Sequence, residues 1–458
     1  MRVIVCLFIL LGTIRVYGQR NTISIPDLLQ KISQDYPSIK AKEASVKAAS
    51  YRLQSARKDY LPELTAADQY QYSTNNGLEG SYFSNEGTAI STSGGVRDQN
   101  IYNPVFGSFT TLMVNWHAFN FGKVKQSVQF ANSQVQVAKA DYNNEVFQLQ
   151  VRAIDVYLLL ALSEKLVSVQ QANLERAKVF QTYVQSHTQA GLLPGLDSSA
   201  SNAEVARAGL ALLQSKQLVE EQKIQLSQLS NISVDSLNVD TTTFLTRVPL
   251  AISGDSAINN NPVINLYKQM LQNQVDRSLV IKKSALPTIN ILGMGWARGS
   301  GINKSSKKYS SDAMSGIPYQ TYNYMAAVAV KCNILSLAKE REEYKAAEQD
   351  IESSRYRLDE QTLRLQKQMK NANLQYQYAL QQTRLAPVQY KAALEAYNLS
   401  NARYQAGLAP LTELIQAFTV LNRASVDVTV ANNNVWRSLL QKAASSGMIA
   451  DFVNQVPK

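Results

Sequence analysis

The chain has 458 residues, with 46 Lys plus Arg against 35 Asp plus Glu, two His and two Cys. An apolar share of 45% excludes a disordered chain, and 18% charged residues is low against the usual quarter or so. Two His and one Cys beyond the leader cannot by themselves supply a Cys/His metal site or a disulfide framework. Tyrosine is the outlier, with 23 Tyr against 12 Phe and 3 Trp.

Residues 1–18 read as a secretory signal peptide: Arg2, an apolar core from Val3 to Leu11, and Val16-Tyr17-Gly18 before Gln19. Cys6 lies inside that core, so no lipid anchor is expected, and the mature chain keeps only Cys332. Beyond the leader no apolar run approaches the roughly 20 residues of a membrane-spanning helix. The basic balance is dispersed, as in Lys339-Glu340-Arg341-Glu342-Glu343, which describes solvated helix faces and no nucleic-acid surface.

A first unit is expected over 19–230. A helix leads to Leu61-Pro62 and a strand over 63–72, with Leu64, Ala66, Tyr70 and Tyr72 on one face and Glu63, Thr65, Gln69 and Gln71 on the other. Asp68 falls on the apolar face. After a loop rich in Gly, Ser, Asn and Tyr, a strand over 109–118 sets Leu112, Val114, Trp116 and Ala118 opposite Thr111, Met113, Asn115 and His117. Val124, Val128, Ala131, Val135, Ala138 and Tyr142 begin a three–four spacing that runs to Leu160 and predicts a long helix over 123–190. At 1.5 Å per residue it is on the order of 100 Å long. Gly191 ends it and Pro194, just inside the next helix, starts a return over 195–230. A linker, or equatorial segment, follows at 231–257.

The second unit, 258–445, repeats the first. Leu61-Pro62 maps onto Leu286-Pro287, Tyr36-Pro37 onto Asn261-Pro262, Gln189-Ala190-Gly191-Leu192-Leu193-Pro194 onto Gln405-Ala406-Gly407-Leu408-Ala409-Pro410, and Arg207-Ala208 onto Arg423-Ala424. It holds strands over 288–297 and 322–333, a long helix over 339–406, a return helix over 410–445 and a tail over 446–458. Gly293 and Gly295 point to a tight bend or a close neighbour. Pro387 should kink the long helix. Tyr344, Ala347, Ile351, Ser354, Leu358, Gln361, Leu365, Gln368 and Ala372 form its seam, whose small and polar members suit helices packed on both flanks, although an ordinary antiparallel bundle shares the pattern.

Strands of about ten residues, apolar on one side and polar on the other, are those of a membrane β-barrel. One chain supplies four, fewer than the eight or so a closed barrel requires, and open strand edges are not tolerated in lipid. Oligomerisation is therefore expected.

With this helix–strand–strand–helix–helix order written twice, its Leu-Pro steps and its Gly-plus-six-acidic hairpins, the chain resembles the TolC-type outer membrane factor family over nearly its whole mature length. The resemblance implies a mainly α fold with a small β part: a homotrimeric α-helical barrel of long antiparallel coiled-coil helices, joined to a 12-stranded transmembrane β-barrel with four strands per chain. It implies a passive export duct of the bacterial outer membrane with a large periplasmic part. Its partners would be a periplasmic adaptor, or membrane fusion, protein and an inner-membrane RND or ABC transporter, serving efflux or type I secretion. Asp197 and Glu413, each six residues after a hairpin glycine, would form carboxylate rings at the periplasmic gate, with Tyr404 at a gating position. Gly191, Leu192, Pro194, Gly407, Leu408 and Pro410 would form the hairpin tips that dock the adaptor. Ala409 and Gln416 depart from the best-known gate, where an Arg and a second acid stand. The first-turn acids are also what the helix dipole alone favours.

His117 and His187 are too far separated for a designed pair and read as structural. Lys304-Ser305 lacks the surroundings of a phosphate-binding loop. No nucleophile, acid–base pair or cofactor cradle is present, so neither an enzyme nor a cofactor is expected. The rivals are a non-conducting outer-membrane structural protein or adhesin with the same fold, and a soluble periplasmic coiled-coil adaptor.

Overall fold

The structure, a computed structural model, describes residues 22–74, 99–252, 257–303 and 308–456. The leader, Lys304-Ser305 and most of the first loop lie outside them. The chain divides into two compact units, one of residues 1–47, 136–270 and 354–458, the other of residues 48–135 and 271–353.

Helices dominate the first unit, and four of them run on into the second. α1 (Ile25–Asp35) and α2 (Pro37–Lys58) replace the single helix expected before Pro62. Pro37 disfavours helical backbone at the residue before it, and Tyr36 accordingly sits at ψ 128°. α3 (Lys123–Gln189) returns as α4 (Gly195–Ser230); α5 (Thr243–Thr246) and α6 (Pro262–Ser284) follow. α8 (Ser336–Gln405) runs unbroken through Pro387 and returns as α9 (Leu411–Ser446). The seam of α8 keeps Leu365 and Ala372 and runs on to Tyr376 and Ala379, but between the first two it takes Met369, which is buried, in place of Gln368, which is exposed.

The core lies where α1, α3, α9 and the 231–257 segment meet. Trp436 is 0% exposed and packs edge-on against Phe244 at 5.0 Å and Phe452 at 5.8 Å between ring centroids. Its Nε1–H donates to the Arg247 carbonyl at 2.8 Å. Tyr157, equally buried, donates to the Ile23 carbonyl at 2.9 Å and accepts the Asp240 N–H at 3.0 Å. Burial pushes its phenol up to about 12, against the pull of that N–H. The linker, or equatorial segment, at 231–257 contributes Leu237, Val239, Phe244 and Ile252 to this core. The tail forms α10 (Ile449–Val453), whose Phe452 is fully buried. And α3 does contain a stretch apolar and long enough to cross a membrane by composition alone. Its Tyr157, Leu158, Leu160 and Ala161 are core residues of the unit, which is why it is apolar.

α9 ends at Gly447, at φ 77°, where a Cβ would lie 2.9 Å from the Asn261 Cα. Asn261 in turn donates from Nδ2 to the Ala444 and Ser445 carbonyls. Gly447→Ala combines a left-handed strain with that clash, so a loss of ~2 kcal/mol or more is expected, read as a lower thermal midpoint by circular dichroism.

The second unit carries a four-stranded antiparallel sheet in the order β1 (Glu63–Ser73), β2 (Val105–Phe119), β3 (Thr288–Ser300), β6 (Thr321–Lys331). Between β3 and β6 lie a two-residue ladder, β4 (Ile302–Asn303) with β5 (Lys308–Tyr309), and α7 (Ala313–Gly316). β2 begins four residues earlier than expected and β3 ends three later, while β6 stops at Lys331. The register aligns Ala66 with Leu112, Gly295 and Tyr324, and Trp116 with Ile291 and Val328. Directly opposed residues share a face, so Leu64, Leu112, Val114, Trp116, Ile291, Tyr324 and Val328 lie on one side. Gly293 and Gly295 neither bend β3 nor meet a close neighbour: a Cβ there would find its nearest atoms at 3.8 and 4.0 Å. A bulge between Trp116 and Phe119 ends the regular pairing of β2. Beside it Trp116 donates to the Tyr60 carbonyl at 3.0 Å, and His117 Nδ1 lies 2.7 Å from Asn290 Oδ1.

Candidate functional site

The two helical hairpins end in the same backbone device. After α3, Gly191 at φ 77° donates to the Thr188 carbonyl at 3.0 Å and Leu192 to the His187 carbonyl at 2.8 Å. After α8, Gly407 at φ 72° donates to the Tyr404 carbonyl at 3.0 Å and Leu408 to the Arg403 carbonyl at 2.8 Å. This is the 6→1 and 5→2 pairing of a Schellman cap, which needs a left-handed residue that glycine adopts without strain. Nothing lies within 4 Å of a Cβ built on either glycine, so φ alone requires them.

Pro194 and Pro410 were expected just inside the return helices, but both stand one step before them. They sit at the N-cap with ψ 146° and 155°, and α4 and α9 begin at Gly195 and Leu411. The pyrrolidine fixes φ while the extended ψ turns the chain. Their carbonyls accept the N–H groups of Asp197 and Glu413, which places each acid in the first helical turn. Leu192 and Leu408, 70% and 72% exposed, project from the tips.

The two acids find different partners. Tyr404, in the last turn of α8, donates its hydroxyl to Asp197 Oδ2 at 3.0 Å and so ties the second hairpin to the first. Glu413 instead accepts from Arg403 Nη1 at 2.8 Å, a bond within its own hairpin. Tyr404 is buried with Val184, Leu411 and Leu414, and its ring meets Phe180 edge-on at 5.7 Å and Tyr183 at 6.4 Å. Burial first, and then the hydrogen bond to Asp197, hold its phenol above the usual tyrosine range. The hydroxyl therefore stays a donor at neutral pH.

Arg403 escaped the sequence reading, although a basic residue in the last helical turn ten residues before an acid is a legible signal. In the repeat alignment His187 holds the position of Arg403. His187 does not reach Asp197; it lies against Tyr183, ring centroids 4.1 Å apart, with Nδ1 2.9 Å from the Tyr183 carbonyl. Tyr183 and Phe180 also escaped notice, because nothing in their spacing separates them from ordinary seam residues. No group of three or more His, Cys, Asp or Glu among the described residues could hold a metal ion.

The family model of the outer membrane efflux protein matches residues 28–231 and 255–445. Among solved structures the chain is similar to the outer-membrane channel OprN, at 16% identity and a TM-score of 0.75, covering 92% of this chain and 89% of that one. It is similar to the outer membrane protein VceC of Vibrio cholerae, at 14% identity and a TM-score of 0.74, over 92% and 96% of the two chains. It is also similar to the CmeC outer membrane channel of Campylobacter jejuni, at 13% identity and a TM-score of 0.76, over 94% and 90%. No curated protein sequence matches it. The chain therefore belongs to the outer membrane efflux protein family, a family of outer-membrane channels and not of enzymes.

Proposed function

We propose that three copies of the chain join their four-stranded sheets into one twelve-stranded barrel, that the long helices continue it as a periplasmic tunnel, and that the assembly is a passive export duct. The observation that carries this reading is the register of the sheet. It collects Leu64, Leu112, Val114, Trp116, Ile291, Tyr324 and Val328 on one face while β1 and β6 each lack a second neighbour among the described residues. An apolar face suits lipid, and edges facing lipid must be paired by another copy. The number three comes from the family. The matched stretches 28–231 and 255–445 fit two copies of one unit, with the described hairpins as corresponding parts.

The hairpin tips are the gate in this reading. Asp197 and Glu413 repeat around the threefold axis as carboxylate rings, which set ion selectivity by local potential. A periplasmic adaptor docks on the exposed leucines of the tips and binds the open arrangement better than the closed one, which is the only way a partner can shift such an equilibrium. An inner-membrane transporter supplies the free energy. The test is direct: detergent-extracted protein should elute as a trimer by light scattering and give cation-selective single-channel currents in planar bilayers. A monomer, or a trimer that never conducts even with the tip opened by mutation, would leave the non-conducting structural protein as the better account.

A further inference from the structure

On the sheet face opposite the apolar one, the register places three methionines side by side. Met113 of β2 is directly opposite Met294 of β3, and Met294 is directly opposite Met325 of β6. The full sequence has eight methionines, so three of them share one row. Opposed residues on neighbouring strands stand about 5 Å apart at Cα. A methionine has three rotatable bonds and can carry its thioether sideways over that distance. Packing does not account for the row, because Met113 and Met325 are 36% and 41% exposed on a face otherwise rich in polar residues.

The adjoining rows are neutral apart from one edge. On one side lie Ala67, Thr111, Trp296 and Asn323, and on the other Glu63, Asn115, Leu292 and Ala327. Trp296, two residues from Met294, stands on the same face in the adjoining row, and an aromatic ring is a favourable neighbour for both thioethers and cations. Asn115 Oδ1 is buried and accepts no hydrogen bond from the described residues. Glu63, at the β1 edge, is the single charge in these rows and is of the sign that a cation needs.

We propose that Met113, Met294 and Met325 form a thioether site for a soft monovalent d10 cation, of the Cu(I) or Ag(I) class. Thioether sulfur selects such ions, whereas Mg²⁺ and Ca²⁺ take oxygen ligands. The site belongs to the folded sheet of each chain; that it faces a duct rests on the channel reading above. There it would make the wall a low-affinity stopping place for soft cations.

The test uses full-length, detergent-solubilised protein carrying Cys332→Ser, because the exposed free thiol of Cys332 would bind the same ions. Silver nitrate in chloride-free buffer serves as the probe, with bound metal read by equilibrium dialysis and mass spectrometry. The expected result is roughly one Ag(I) per chain, with a tenfold or greater affinity loss in Met113→Leu/Met294→Leu/Met325→Leu. Met294→Leu alone, which removes the central sulfur, should produce most of that loss and spares the fold a triple change. Leucine keeps the apolar volume, so silver binding unaltered in both variants overturns the proposal, as does the absence of binding in the parent. Bilayer currents recorded on the same preparations separate the two claims. Silver binding that depends on the methionines in a protein that does not conduct sinks the duct and leaves the site standing.

Discussion

Tyr404→Phe should open the channel. The substitution removes the hydroxyl donor that ties the second hairpin to Asp197 while leaving the ring among Phe180, Tyr183 and Leu414. A hydrogen bond to a charged acceptor contributes about 1.5 kcal/mol or more, which is roughly a tenfold change in an equilibrium constant. With one such latch in each protomer, single-channel recording should find a large rise in mean conductance or open time. Asp197→Asn should act in the same direction. Arg403→Ala breaks the other tip pair, but its partners are about half and one third exposed, and such pairs contribute little. Its effect should be much smaller. If Arg403→Ala opens the channel and Tyr404→Phe does not, the latch has been assigned to the wrong hairpin contact. The sign with pH is also set. An unfolded tyrosine titrates near ~10, and the folded phenol lies above that. The latch is therefore intact below that pH and weakens as alkali ionises the phenol, so acidification through neutrality should not open it by this route.

The non-equivalence of Asp197 and Glu413 shows where sequence reading stops. The two acids occupy the same place in a repeat, and the glycine that positions each is legible because only a left-handed residue closes that cap. Their partners are not legible in the same way. Tyr404 comes from a helix 207 residues away, and only the packed hairpins decide that it meets Asp197. The strands behave similarly. Alternation marks their faces, but β2 extends back to Val105 through Phe106 and Gly107, which sit in loop-like sequence and gain strand geometry from pairing with Tyr72 and Gln71. The methionine row was invisible for the same reason: register, which no single strand carries, aligns the three residues. The 231–257 segment looked like a connection because its apolar residues lack a period. Their burial comes from the helices around them.

Trp436→Ala should be the most damaging core substitution. The indole is fully buried, and truncating such a side chain costs about 3–5 kcal/mol through lost transfer energy and the cavity left behind. Two further losses follow. The Arg247 carbonyl loses its donor, and the rings of Phe244 and Phe452 lose the surface they share. Trp436→Phe separates these contributions, since it keeps an aromatic ring but leaves the carbonyl unpaired, for a cost of about 1–3 kcal/mol. Thermal melts followed by circular dichroism should rank the parent above Trp436→Phe and that above Trp436→Ala. The argument reaches beyond one residue. Phe244 belongs to the segment between the two matched stretches and Phe452 to the C-terminal helix, so Trp436 fastens both to α9. Cutting the chain after Ser446 removes Phe452 and should reproduce part of the Trp436→Ala loss, with the double change costing less than the sum of the two. Strict additivity would mean that the tryptophan and the C-terminal helix stabilise the unit independently, and that the shared aromatic cluster is not what joins them.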